Sequence, residues 1–255
     1  TQNRVLGRGK VYFDPFTAGT TTKTGERYLG NTTEFGISIE SETLDHFDSD
    51  SGVRVKDDSV TLETNRSGSM ITDNIDQDNI SMFVQGSAST VTQTSTPVAD
   101  EAITVLQGRY YQLGALPANP QGVRNVSAVV VQDVTDTTTY VLDTDYTLDA
   151  VLGRIYIIEG GSITDDDVLH VDYTPAAESR ERVVSGALAI EGALRFVSFN
   201  PKGVARDFFF PKVLLSPNGD YALKGEEWQQ IGFSLELLAL DDNTATMYID
   251  GRVVA

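Results

Sequence analysis

Cysteine is absent from this chain of 255 residues. A disulfide framework and a thiolate metal site are therefore both excluded, and the absence fits assembly in a reducing cytoplasm. Histidine is nearly absent, with only His46 and His170. A His-dependent catalytic triad would have to use one of them. His46 stands beside Asp45 and Asp48, and His170 alternates with Asp172; both read as ordinary strand or loop residues. The G-x-S-x-G elbow, the H-E-x-x-H pair and the P-loop are also missing. No catalytic, cofactor or metal residue is assigned, and the expectation is a protein that is not an enzyme. No apolar run approaches the ~18 residues of a membrane-spanning helix. The opening TQNRVLGRGK has no apolar core of a signal peptide, and Thr1 is expected to follow a removed initiator Met. Cations are scarce: Lys and Arg total 19 against 37 Asp and Glu, for a net charge of −18. A chain this acidic repels nucleic-acid phosphates and anionic membranes, which argues against gripping either.

Thr, Val, Ile, Tyr and Phe are abundant, and turn signals recur roughly every ten residues, as in an all-β protein. Residues 1–34 are dense in Gly, Thr and Pro and read as an ordered arm or long loop, anchored by Tyr12, Phe13, Phe16, Tyr28 and Leu29. One helix is expected in NIDQDNISMFVQGS. Asp76 caps it, Ile80, Phe83 and Val84 share a face, and Gly86 ends it. The Ser/Thr-rich stretch SASTVTQTSTPVADE reads as a linker. Short strands with turns at Gly153, Gly160–Gly161 and TDDD follow, until PAAESRERV closes the unit. The expected organisation is a host β domain of residues 1–95 and 181–255, interrupted by an inserted small β module, 96–180, like a β-sandwich.

Weaker signals have ordinary readings. DSDSG at 48–52 departs from an EF-hand loop at Gly52, Val53 and Ser59, and TDDD at 164–167 reads as a solvated turn. Sequons at Asn31, Asn65, Asn79 and Asn125 carry little meaning without a secretion signal. Tyr110–Tyr111 and Phe208–Phe210 are either a carbohydrate platform or core, and strand spacing favours core.

The informative pattern is parity, because side chains alternate across a strand. Phe35, Ile37 and Ile39 oppose Ser38, Glu40 and Glu42. Val60 and Leu62 oppose Thr61, Glu63 and Asn65. In ALAIEGALRF, Leu188, Ile190, Leu194 and Phe196 oppose Glu191 and Arg195. Ile231, Phe233, Leu235 and Leu237 oppose Ser234 and Glu236. Four strands thus each carry Glu among small or polar neighbours. A wet outer face of a sandwich is the ordinary explanation. Two features weigh against it: the face is poor in the Lys that guards sheet edges, and its Ala, Ser and Gly suit a smooth wall. Arg195 is the exception, expected to be neutralised by a neighbouring Glu.

The segments RGKVYFDPF, TGERYLGNTTEFGISIESETLDHFDSDSGVRVKDDSVTLETNRSGSMITDNI and GEEWQQIGFSLELL resemble the major tail tube proteins of long-tailed, siphovirus-type bacteriophages. The resemblance covers most of 8–90 and 183–240 and lies in whole-segment character more than in a short motif. It implies a β-sandwich or partial barrel with one flanking helix, related to the tubes of contractile tails and type VI secretion. It implies six subunits in a ring, rings stacked into a tube, and DNA passing through to the host without specific binding. It also implies a virion protein of the tail, assembled in the host cytoplasm. The implied partners are further copies of the chain, tail terminator and distal tail proteins, and a tape measure protein inside during assembly. No cofactor and no membrane is implied. The excursion from about Asp45 to Ser59 is carried over as a ring-stacking loop, with Asp48, Asp50, Arg54, Lys56, Asp57 and Asp58. The N-terminal arm and the C-terminal segment would contact other subunits, and the inserted module would lie on the outer surface.

That resemblance gives the Glu pattern a purpose. Duplex DNA carries one charge per ~1.7 Å of its axis and binds basic surfaces by releasing counterions. A bore lined by Glu40, Glu42, Glu63, Glu191, Glu236 and small residues repels phosphate and lets DNA slide. Ring closure would pair the unguarded strand edges. A second class remains open, a surface binding module such as an adhesin or capsid decoration protein, possibly glycan-binding.

Overall fold

The computed structural model describes residues 3–50 and 52–252; Thr1, placed after a removed Met by the sequence reading, lies outside them. Among the described residues the protein is nearly all β, with several antiparallel sheets and one helix. In chain order the elements are β1 (Gly9–Pro15), β2 (Arg27–Tyr28), β3 (Thr32–Asp48), β4 (Val55–Thr72), α1 (Gln77–Phe83), β5 (Ser87–Gln93), β6 (Val98–Thr104), β7 (Tyr110–Gln112), β8 (Val126–Asp133), β9 (Tyr146–Asp149), β10 (Arg154–Ile157), β11 (Val168–Pro175), β12 (Glu178–Val184), β13 (Ile190–Ser198), β14 (Arg206–Pro217), β15 (Ile231–Leu237) and β16 (Tyr248–Gly251). The chain forms two compact units. Unit 1 comprises residues 1–89 and 182–255, and unit 2 residues 90–181. The divisions fall after Ser89 and Glu181, where the sequence reading put them after residues 95 and 180. β5 and β12, which carry the chain across both divisions, pair with each other.

Unit 1 is one sheet in the order β2-β1-β13-β14-β15-β4-β3, with β16 added to β14. Alternation drives it. Val11 and Phe13 on β1, Leu194 on β13, Phe210, Val213 and Leu215 on β14, Ile231, Phe233 and Leu235 on β15, and Met70 on β4 turn to one side and are almost fully buried. Four strand steps separate β13 from β3, which in a flat sheet is about 19 Å. Yet Phe35 of β3 stacks on Phe196 of β13 with ring centroids 5.6 Å apart, so the sheet curls around its core. Gly192 lets β13 lie close to β1, because a Cβ there would run into the Asp14 carbonyl and the Phe13 ring.

Two expectations change. The start of the chain is not merely an arm: residues 9–15 form β1, paired with β13 over seven positions from Gly9↔Ser198 to Pro15↔Gly192. Its Gly- and Pro-rich flanks hid a strand whose Val11 and Phe13 are core. Nor do four Glu-bearing strands stand at free edges. β4, β13 and β15 each have a partner on both sides, and only β3 ends the sheet.

Helix α1 forms where expected. Asp76 caps it, its carboxylate accepting from the Asn79 amide at 2.7 Å. Its end differs in detail. Gln85 takes the left-handed conformation (φ 50°). Its amide donates to the Met82 carbonyl and that of Gly86 to the Ser81 carbonyl, the bonding pattern of a Schellman end. Gly86 is needed for a different reason: a Cβ there would collide with the Val184 carbonyl. Phe83 of α1 packs edge-on against Phe233 and Tyr221, which sets the helix on the core side of the sheet. Asn79 is fully buried, with its amide donating to the Leu29 and Asn74 carbonyls. That sequon is therefore closed to modification.

Unit 2 has two three-stranded sheets, β7-β10-β9 and β6-β11-β8. Ile155 and Ile157 from the first meet Val131, Leu169, Val171 and Tyr173 from the second in a core of its own.

Candidate assembly surface

The five glutamates lie on one face of one sheet, opposite the core. Paired residues in neighbouring strands point to the same side. Register carries a continuous row across five strands: Glu191↔Leu214, Leu214↔Glu236, Glu236↔Ser67 and Ser67↔Ser38. The next row of this face is Ser216, Ser234, Ser69 and Gly36. In the other direction come Glu40↔Asn65 and then Glu42↔Glu63. The adjacent core row is Ile190, Leu215, Leu235, Gly68 and Ile37. A polar, small-residue wall thus backs directly onto the hydrophobic core.

Its electrostatics are uneven. Glu191 is half-buried, 3.3 Å from the Lys212 ammonium. Arg195 pairs with Glu26 at 2.7 Å and lies 4.6 Å from the Phe209 ring centroid, so a Glu does neutralise it. Among the described residues, no ion pair involves Glu40, Glu42, Glu63 or Glu236. Glu42 and Glu63 stand directly opposite each other, an arrangement of like charges that costs stability.

The ring-stacking residues fall elsewhere than in a loop. β15 pairs with β4 only from Ser67 to Thr72, so residues 39–48 and 55–66 continue past the sheet as a two-stranded ribbon. The expected excursion from Asp45 to Ser59 is largely the end of that ribbon, with residues 49–50 and 52–54 at its tip. Asp48 ends β3; Lys56, Asp57 and Asp58 are in β4; Asp50 and Arg54 are at the tip. Alternation failed to mark the strands here because Asp, Ser and Lys fill both faces. Local pairs hold this end together. Lys56 reaches Asp45 at 2.6 Å, His46 Nδ1 lies 2.6 Å from Asp57, and Arg54 stacks 4.9 Å from the Phe47 ring centroid. The hydrogen bonds from Lys56 and Ser59 hold the Asp45 carboxyl below its ordinary range.

Parity also breaks in the ribbon. Glu42↔Glu63 is followed by Thr43↔Thr61, which leaves Leu62 as the extra residue of a bulge. The next apolar pair, Leu44↔Val60, therefore falls on the side of Glu40 and Glu42. Val60 was expected on the opposite side. Leu44, Val60 and Leu62 are 63%, 56% and 60% exposed. Their exposure is the feature that sequence reading missed, because nothing local says that β3 and β4 outrun their neighbours. Leu188, assigned to the apolar face of a strand, precedes β13 and is exposed as well.

The remaining aromatic stretches divide. Phe210 is core, while Phe209 turns to the other face beneath Lys23 and Arg195. In unit 2, Tyr110 is exposed, with its ring centroid 4.7 Å from that of Tyr156 and the Arg154 guanidinium 4.6 Å away. Tyr111 packs on the core and accepts from the Leu106 amide. His170 is joined by Asp100 and Asp136, 70 and 34 positions away, a grouping with no local signature.

These features describe an all-β protein whose larger sheet has one apolar and one polar, Glu-bearing face. By its sequence the chain belongs to the family described as protein of unknown function UCP028589, whose model matches residues 4–248. No curated protein matches it. No helix among the described residues is long and apolar enough to cross a membrane.

Proposed function

We propose that this protein is a structural subunit that assembles into rings of six, stacked as a phage-type tail tube through which DNA passes. The observation that carries this reading is the Glu-bearing face. It spans one curled sheet, sets Glu191 and Glu236 beside Ser67, Ser38, Ser234 and Ser69, and continues onto a ribbon with solvent-exposed leucine and valine. Glu and Ser dominate this face and its cations Lys212 and Arg195 are each paired with a Glu, so it repels phosphate and offers DNA little to grip. The single-partner strand β3 and the exposed ribbon are surfaces that further copies of the chain would cover. Tail terminator, distal tail and tape measure proteins would then bind the ends and bore of the tube.

Electron microscopy and solution scattering of the concentrated protein test this reading. Stacked rings about as wide as six curled sheets are expected. Compact monomers at every concentration, with or without tail components as seeds, would overturn it. Replacing residues 90–181 with a short Gly/Ser link tests the division of labour, and assembly by unit 1 alone is expected.

One observation favours a second reading as a binding module: the exposed Tyr110, which lies against the half-buried Tyr156 beside Arg154 and suits stacking on a sugar ring. Monomers that bind glycan and lose binding in Tyr110→Ala would support it over the tube.

A further inference from the structure

We infer that Asp100, Asp136 and His170 form a binding site for one Zn2+ ion in unit 2, an inference that does not depend on the tube reading. His170 lies on β11, the central strand of its sheet, opposite Ala102 of β6 and Gln132 of β8. Asp100 comes from β6 and Asp136 from the turn that follows β8. His170 Nδ1 lies 2.8 Å from an Asp136 oxygen and 3.9 Å from an Asp100 oxygen. One ligand atom from each residue falls within 4.8 Å of the others.

Zinc holds imidazole nitrogen and carboxylate oxygen at about 2.0–2.2 Å in tetrahedral geometry, so its ligand atoms stand roughly 3.3–3.6 Å apart. The two spacings from His170 bracket that range: the Asp136 contact, a hydrogen bond without metal, would open slightly as the ion displaces its proton, and the exposed Asp100 side chain would rotate inward. Two carboxylates alone would be an acidic patch. What makes a ligand set is the imidazole nitrogen directed at both. His170 is also the one ion-pairing partner that either carboxylate has among the described residues. Two carboxylates balance the charge of a divalent ion, and the imidazole selects zinc and its neighbours over Mg2+ and Ca2+. When Nδ1 ligates, the neutral ring carries its proton on Nε2.

The backbone around the site is held in place. Asp100 sits at φ 55° where the pairing of β6 with β11 shifts between Val171 and Tyr173. Its amide donates to the Asp172 carboxylate at 2.8 Å. Asp136 sits at φ 56° in a turn tied together by Asp133, which accepts from the Thr137 and Thr138 amides. Three separate segments are thus poised to be clamped by one ion.

The test is calorimetric titration of the full chain with ZnCl2, with MgCl2 and CaCl2 as separate arms, and the thermal midpoint of unit 2 as a second readout. One Zn2+ per chain is expected, with Mg2+ and Ca2+ at least roughly tenfold weaker. His170→Ala and His170→Gln should abolish binding, and Asp100→Asn and Asp136→Asn should each weaken it at least roughly tenfold. His46→Ala, which removes the other His–carboxylate pair, should leave it unchanged. Zn2+ should raise the midpoint of the parent but not of His170→Gln; the Gln and Asn variants keep the test decisive if His170→Ala does not fold. No binding up to about 1 mM Zn2+, binding that survives His170→Gln, or equal affinity for Ca2+ would overturn the site.

Discussion

The two units solve the same problem in different ways. Unit 2 closes on itself: Val131, Ile155, Ile157, Leu169 and Val171, from both its sheets, have no exposure. Unit 1 buries an equally tight core, yet sends β3 and β4 past that core with Leu44, Val60 and Leu62 in solvent. Both use the same alternating strands. The difference lies in whether a strand has a covered face along its whole length. Unit 2 leaves its exposed apolar side chains, such as Leu116 and Val151, outside a closed core, whereas the ribbon of unit 1 has no core of its own beneath Leu44, Val60 and Leu62.

The sharpest way to break this comparison is to damage one core at a time. Phe233→Ala should cost unit 1 about 3–5 kcal/mol, and Leu169→Ala should cost unit 2 about 2–5 kcal/mol. Hydrogen exchange resolved along the sequence should show each loss confined to its own unit. Loss of protection in both from either change would mean that the units fold as one. Asp76→Ala removes the cap of α1 and should cost unit 1 about 1 kcal/mol, read from its denaturant midpoint. The change should leave unit 2 protection untouched.

The ribbon behaves in the opposite sense. Changing Leu44, Val60 and Leu62 to Ser should move the unfolding midpoint of the monomer by no more than about 0.5 kcal/mol per site, because these side chains are already in water. The self-association proposed for this surface, measured by sedimentation at high concentration, should nonetheless be lost. A large stability loss in the monomer would show that the ribbon is internally packed.

The smallest effect is expected in acid. The hydrogen bond from the Thr138 amide, with those from the Thr135 hydroxyl and the Thr137 amide and hydroxyl, lowers the Asp133 carboxyl to about 2. A folded-state value below the unfolded value of ~3.9 stabilises the fold above that pH. The contribution is lost as pH falls from there through about 2. Asp133→Asn should flatten the acid limb of unit 2 in that window while leaving the unit 1 limb, to which Asp207 contributes through Arg252, unchanged.

Much of this was legible in single residues. Strand parity correctly separated Ile231, Phe233, Leu235 and Leu237 from Glu236, because both neighbours of β15 lie flat against it without a bulge. The helix was legible because Asp76 and the apolar spacing act within a few residues. Parity failed at Val60, since a bulge one residue long moves every later side chain to the other face. Residues 9–15 were missed because a short strand between Gly- and Pro-rich flanks has little pattern of its own, and its pairing with β13 spans the whole of unit 2 in sequence.

Composition, alternation and charge by themselves determined the all-β class, the capped helix and a family of strands with Glu behind their apolar faces. These are local properties, set by covalent geometry and by which side chains water rejects. Only the tertiary structure decided that the five glutamates share one face, that β3 and β4 outrun the sheet, and that His170 meets Asp100 and Asp136. Each depends on register between segments far apart in the chain. Register is chosen by the summed packing of a whole core, which no single stretch of sequence contains.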